Sequence, residues 1–182
     1  MNGQWSYNSN NTGVQASTCT ASGSYSTAMG DGTTASGDYS TSMGRSTAAS
    51  ALYSTAMGRS TAASALYSTA MGYGTDASGY FSTAMGSSTT ASALYSTAMG
   101  DGTIASGSRS TAMGSYTTAS DYASLSIGRY NSVNSTVTAG GSATSFDTDN
   151  AALVIGNGTG SSTKSDAFVV YFNGNATLSG DL

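Results

Sequence analysis

The chain has no proline, no histidine and no glutamate, and a single cysteine among its 182 residues. Each absence removes something. Without histidine, and with one thiol, the usual nucleophile–base pairs of covalent catalysis cannot be assembled. One cysteine also makes no intrachain disulfide framework. Asp147 and Asp149, the nearest approach to a carboxylate pair, sit in a run of Ser, Thr and Asn, where solvation explains them better than acid–base work. The expectation is therefore a protein that is not an enzyme, with no catalytic residue, no cofactor and no metal. Proline is the informative omission. A disordered linker has no reason to exclude it, whereas stacked strands do, because proline donates no hydrogen bond to a ladder.

Charge is sparse too, at 8% of residues with a net value of −4. The basic residues Arg45, Arg59, Arg109, Arg129 and Lys164 are scattered rather than patched. A phosphate backbone demands a clustered basic face, so no nucleic-acid partner is expected. No stretch approaches the ~20 apolar residues that span a bilayer, and no membrane contact is expected of this segment. The opening Met1-Asn2-Gly3-Gln4-Trp5 lacks the basic and apolar regions of a secretion signal. That implies a start inside a longer protein or another route to a surface.

What fills the chain is Gly, Ser, Thr and Ala, and they recur. Met29, Met43, Met57, Met71, Met85, Met99 and Met113 recur at every fourteenth position without a slip, and Ile127 takes the slot in an eighth unit. A glycine follows each of them. The unit from Ala21 to Thr34 reads ASGSYSTAMGDGTT, and the eighth, from Ala119 to Ser132, has drifted to ASDYASLSIGRYNS. Upstream, Val14 to Thr20 reads as a worn, partial rung. The period equals two heptads, but this much Gly, Ser and Thr makes poor helix. Two short strand-like segments per unit, near Tyr25 to Met29 and near Thr33 to Gly37, fit a coil with one turn per unit. Equivalent residues then stack at ~4.8 Å. The fold class expected is all-β, a solenoid in which each turn is one repeat unit.

Variation between units sorts the columns. The Met column changes only once, to Ile127, which marks it as the structural core of the repeat. Thr27 and its equivalents share that strand face, and Ser26 and Ala28 take the opposite one. One face belongs inside the roll and the other against a neighbouring chain, and the pattern alone leaves open which is which. The residue after the repeat glycine is Asp31, Arg45, Arg59, Tyr73, Ser87, Asp101, Ser115 or Arg129. Charge reversal at one slot means solvent. Asp31, Arg45, Arg59, Tyr73, Asp101, Arg109 and Arg129 are accordingly the candidate exposed contact positions. The column of Tyr25, Tyr39, Tyr53, Tyr67, Phe81 and Tyr95 admits Arg109 and Ala123, which reads as a half-exposed rim with stacked rings. Cys19 takes the slot of Thr33 and Thr47; a small buried side chain is a simpler reading there than an interchain bridge. Trp5 and Tyr7 precede the roll and read as a cap on its first rung.

Two other signals are discounted. Asp31-Gly32 and Asp101-Gly102 look like calcium turns, but Arg45 and Arg59 occupy the same slot as Asp31 and Asp101. Gly156-Asn157-Gly158-Thr159-Gly160 lacks the Gly-Lys-Ser/Thr ending of a phosphate loop.

The units resemble the head repeats of trimeric autotransporter adhesins, the YadA-like heads, whose 14-residue unit is built around Asn-Ser-Val-Ala-Ile-Gly with a second Ala-x-Gly segment. Ser124-Leu125-Ser126-Ile127-Gly128 is the nearest local match, and Ser54-Thr55-Ala56-Met57-Gly58 puts Thr for Val and Met for Ile. Ala35-Ser36-Gly37 and Ala77-Ser78-Gly79 match the second segment. The resemblance covers about residues 14–132 and implies a left-handed parallel β-roll, a homotrimer, and display on a bacterial cell surface to bind host matrix, a cell-surface protein or a glycan. Residues 1–13 are then a cap or leader, and residues 133–182 a β-rich connector. In the latter, Ala167-Phe168-Val169-Val170-Tyr171-Phe172, Asn173-Gly174 and Ala176-Thr177-Leu178 spell a hairpin. That segment also resembles connectors of bacterial fibres and phage tail fibres. A phage-type spacer or receptor-binding segment on a virion fibre is the alternative. An ice-binding solenoid ranks lower, because Thr27 and Thr33 fall in different segments and a same-strand Thr-x-Thr pair is mostly missing.

Overall fold

The computed structural model describes residues 6–7, 14–15 and 18–179. All described regular structure is β-strand. The chain divides into two compact units, Met1–Ser88 and Thr89–Leu182. Trp5 lies outside the described residues.

In the first unit each full turn supplies one five-residue strand and one two-residue strand. The long strands Thr27–Asp31, Thr41–Arg45, Thr55–Arg59, Thr69–Tyr73 and Thr83–Ser87 run parallel, with Met29 opposite Met43 and the same register kept as far as Met85. The short strands Thr20–Ala21, Thr34–Ala35, Ala48–Ala49, Ala62–Ala63 and Asp76–Ala77 make a second parallel sheet in the same register. Val14–Gln15 adds to the first sheet with Val14 opposite Thr27, one position short of the full repeat, so the first rung is present but shortened. Ser6–Tyr7 pairs antiparallel with it.

Two corners per turn fold the chain back on itself, and both require a left-handed backbone. One corner is the aromatic column, with φ of 58° at Tyr25, 55° at Tyr39 and 57° at Tyr53. The other is held by Gly32, Ser46, Ser60 and Gly74 at φ between 52° and 61°. Ordinary side chains enter this region at a cost, which only a surrounding structure that fixes the backbone can offset. The ladder provides that constraint at every rung. Serine braces the aromatic corner: Ser54 Oγ donates to the carbonyl of Ala51 at 2.7 Å, and Ser26 Oγ to that of Gly23 at 2.7 Å.

The interior decides which strand face, left open by the sequence, turns inward. Ser26, Ala28, Thr33 and Ala35 of one turn are all buried, at 0–1% exposure, and the equivalents repeat this in the following turns. Met29, Met43, Met57, Met71, Met85, Met99, Met113 and Ile127, expected to be the structural core, are half-buried and point outward from the roll. The reason is the two-residue alternation of a strand. Once Ser26 and Ala28 face in, Thr27 and Met29 must face out. Two sheets joined by corners this tight leave room inside only for small side chains, Ala, Ser and Thr and, in the first rung, Cys19.

In the second unit the same pattern continues through Thr97–Asp101, Thr111–Ser115 and Leu125–Arg129, with short strands Thr90–Ala91, Ile104–Ala105 and Thr118–Ala119. A long excursion follows. The chain then returns as Ala151–Asn157, parallel to Leu125–Arg129, with Ile155 opposite Ile127 and Gly156 opposite Gly128. Asp166–Tyr171 pairs antiparallel with that strand and Ala176–Leu178 with Asp166–Tyr171, closing a hairpin through Gly174 at φ 87°. Parallel stacking thus ends in antiparallel pairing.

Candidate interaction surface

Three outward columns form the surfaces available to a partner. The first is the Thr–Met face. Thr27 and Met29, Thr41 and Met43, and each later pair alternate along one side of the long strands, half-buried in the single chain. Within the second unit the equivalent face grows more apolar, because Thr111 is followed at its register position by Leu125 and then Leu153, and Met113 by Ile127 and then Ile155. Sequence reasoning assigned Leu153 and Ile155 to a separate connector. The missed signal was phase: Ile155-Gly156 stands two full repeats after Ile127-Gly128, so the excursion replaces one rung and leaves the register intact.

The second column is the aromatic corner. Tyr25, Tyr39, Tyr53, Tyr67 and Phe81 stack face to face with ring centroids 4.9–5.1 Å apart. That distance is the rung spacing itself. The rings were expected at a half-exposed rim; they are exposed, from 62% at Tyr25 to 42% at Phe81.

The third column follows the repeat glycine. Asp31, Arg45, Arg59, Tyr73, Asp101 and Arg129 are exposed. They are also partly occupied with one another. Arg45 Nε lies 3.6 Å from Asp31 Oδ2, an exposed pair of little energetic weight. The Arg59 guanidinium sits 5.4 Å from the centre of the Tyr73 ring, and that of Arg129 sits 5.2 Å from the Tyr130 ring. Arg109 does not join this column. It takes the aromatic slot with φ of 62°, donates to the Tyr122 hydroxyl at 2.8 Å, and lies against the rings of both Tyr95 and Tyr122.

The buried carboxylates are structural anchors. Asp121 takes the register position that Gly107 holds in the preceding turn. It accepts hydrogen bonds from the Thr138 amide at 2.7 Å, the Thr138 hydroxyl at 2.6 Å and the Ala151 amide at 2.7 Å. Asp166 accepts from the amides of Ser132 and Val133 at 2.9 and 2.7 Å. Two asparagines finish the short-strand sheet where its next rung would have paired. Asn131 accepts from the Thr118 amide and donates back to its carbonyl, and Asn134 accepts from the amides of Ser120 and Asp121. The drift of the eighth unit away from the consensus is thus the docking site of the excursion. Cys19 is buried in the threonine slot, as expected, and its thiol donates to the Gly30 carbonyl at 3.2 Å. Among the described residues no cluster of three or more His, Cys, Asp or Glu could hold a metal, and no helix is long and apolar enough to cross a membrane.

The family model for the YadA head domain repeat (2 copies) matches residues 21–47, 49–75, 77–103 and 105–131. No curated protein matches the chain.

Proposed function

The chain belongs to the YadA head-repeat family, and from that premise we propose that three copies associate through the Thr–Met face and present the remaining columns as an adhesive surface outside the cell. Such repeats are typical of trimeric autotransporter adhesins, an extracellular family of the bacterial surface whose role is structural and adhesive rather than enzymatic. The observation that carries the reading is the half-buried Met column, repeated at every rung on one strand face. An apolar stripe of that regularity invites association. A roll with so short a turn also has little interior of its own, so burying the stripe between copies adds the apolar contact that a single chain lacks. Burial of Met29 through Met113 then belongs to the assembly rather than to the roll. The ligand classes are host matrix, a cell-surface protein or a glycan. Recognition falls to the columns turned outward, Asp31, Arg45, Arg59, Tyr73, Asp101, Arg109 and Arg129, and three copies raise the avidity of a weak contact.

The test is adhesion. Beads carrying the chain are applied to surfaces coated with matrix proteins, cell-surface glycoproteins or immobilised glycans. Retention on one class, lowered by charge reversal at Arg45 and Arg59, supports the reading. No retention on any class would make the roll a spacer and sink the adhesive role.

A further inference from the structure

The aromatic ladder of the first unit has a chemistry that adhesion does not use. Tyr25, Tyr39, Tyr53 and Tyr67 are phenols held at successive rungs, exposed along the column, with ring centroids 5.0, 5.1 and 4.9 Å apart and planes within 20° of parallel. Their backbone is fixed in the left-handed corner, at φ between 55° and 58°, so the Cβ atoms are presented in register and cannot drift apart. Rotation about the second side-chain torsion, a broad, roughly two-fold barrier, turns facing ring faces into facing ring edges. The ortho carbons beside the phenol oxygens then meet. In the second unit Tyr116 and Tyr130 repeat the arrangement at 4.8 Å and 1°.

We propose that this ladder is a site of oxidative tyrosine–tyrosine coupling, in which a peroxidase with hydrogen peroxide as oxidant joins phenols of adjacent rungs of one chain. The balance is simple. Each of two phenols gives up one electron and one proton, the two tyrosyl radicals form one carbon–carbon bond between ortho carbons, and rearomatisation returns both ring hydrogens as hydroxyls. The two electrons and two protons reduce one hydrogen peroxide to two waters. The chain loses two hydrogens per bond. Proximity decides the outcome, because a radical whose partner is held in place reacts within the chain before another chain arrives. A chain with a single cysteine has no intrachain disulfide, and such bonds would staple rung to rung across closed loops in the way a disulfide does.

The sequence supplies a clean assay. Cleavage by trypsin after Arg45 and Arg59 places Tyr39, Tyr53 and Tyr67 in three different peptides, so a bond from Tyr53 to either neighbouring rung appears as two joined peptides. The full chain is treated with peroxidase and hydrogen peroxide, and dityrosine fluorescence, intact mass and peptide map are read. The expected result is a loss of two hydrogens per bond with no joining of chains, and peptide 46–59 joined to its neighbours. The double variant Tyr39→Phe/Tyr67→Phe keeps every stacked ring but leaves no two ladder phenols adjacent. It should lose those joined peptides, whereas Tyr73→Phe should keep them. Absence of dityrosine, coupling only between chains, or joined peptides that survive the double variant would each overturn the proposal.

Discussion

Ser42 Oγ lies 2.7 Å from Thr47 Oγ1 inside the roll, and it is there because Ser42 replaces the alanine found at this position in the neighbouring turns. Several turns that keep the alanine leave the facing hydroxyl without a partner: Thr33 opposite Ala28, Thr61 opposite Ala56 and Thr75 opposite Ala70 are buried and unbonded. A buried hydroxyl without a partner is destabilising.

Ala56→Ser should supply the missing partner of Thr61. The expected gain is about 1 kcal/mol, a typical net hydrogen bond, or roughly 2–4 °C in Tm for a chain of this size. Thermal unfolding followed by circular dichroism checks it. A lowered Tm would mean that the interior has no room for the oxygen.

Gly58 and Gly32 should respond in opposite ways. Gly58 has φ of 123°, and a Cβ there would run into the carbonyl of Gly72 on the next turn. Gly58→Ala should cost about 3 kcal/mol or more, combining backbone strain of ~1–3 kcal/mol with overpacking of ~1–3 kcal/mol. Gly32 also has a positive φ, but a Cβ would meet nothing nearer than Ser46 Oγ at 4.0 Å, and Ser46 and Ser60 already hold its slot. Gly32→Ser should change stability by no more than about 1 kcal/mol. Denaturant midpoints of the two variants decide the matter, and equal losses would contradict the corner geometry.

Asp121→Ala should release the excursion rather than the roll. Three donors, two of them the Thr138 and Ala151 amides, lose their acceptor. Amide hydrogen exchange should accelerate at Thr138 and Ala151 while the amides of Thr97–Asp101 stay protected. Uniform acceleration across the unit would mean that the excursion and the roll unfold as one.

The period, the all-β class and the solvent column were legible because each follows from spacing or from charge variation at one slot. The assignment of faces was not. Met29 and Ala28 are both apolar and both conform to the two-residue alternation, so only the width of the interior decides that Ala28 goes in. The left-handed corners were hidden because Tyr25 and Tyr39 are poor residues for them by local preference, and the ladder overrides that preference. Asp121 looked like decay of the repeat; its partners, Thr138 and Ala151, lie far along the chain, a separation that no local pattern reveals. Ile155 was legible in principle, since its phase matches Met29, but the excursion before it masked the count.

Met57→Asp/Met71→Asp places two charges on the outward Thr–Met face and leaves the Ala interior untouched. The variant should remain β-structured by circular dichroism yet fail to associate, because a desolvated carboxylate without a partner is costly at an interface. Retained association would move the interface to another column.

The most direct measurement is the mass of the wild-type chain in solution, by light scattering in line with gel filtration. The account predicts three times the 18.0 kDa chain mass, held on dilution. A stable particle of 18.0 kDa would contradict it, since the Met column would then face water along every turn.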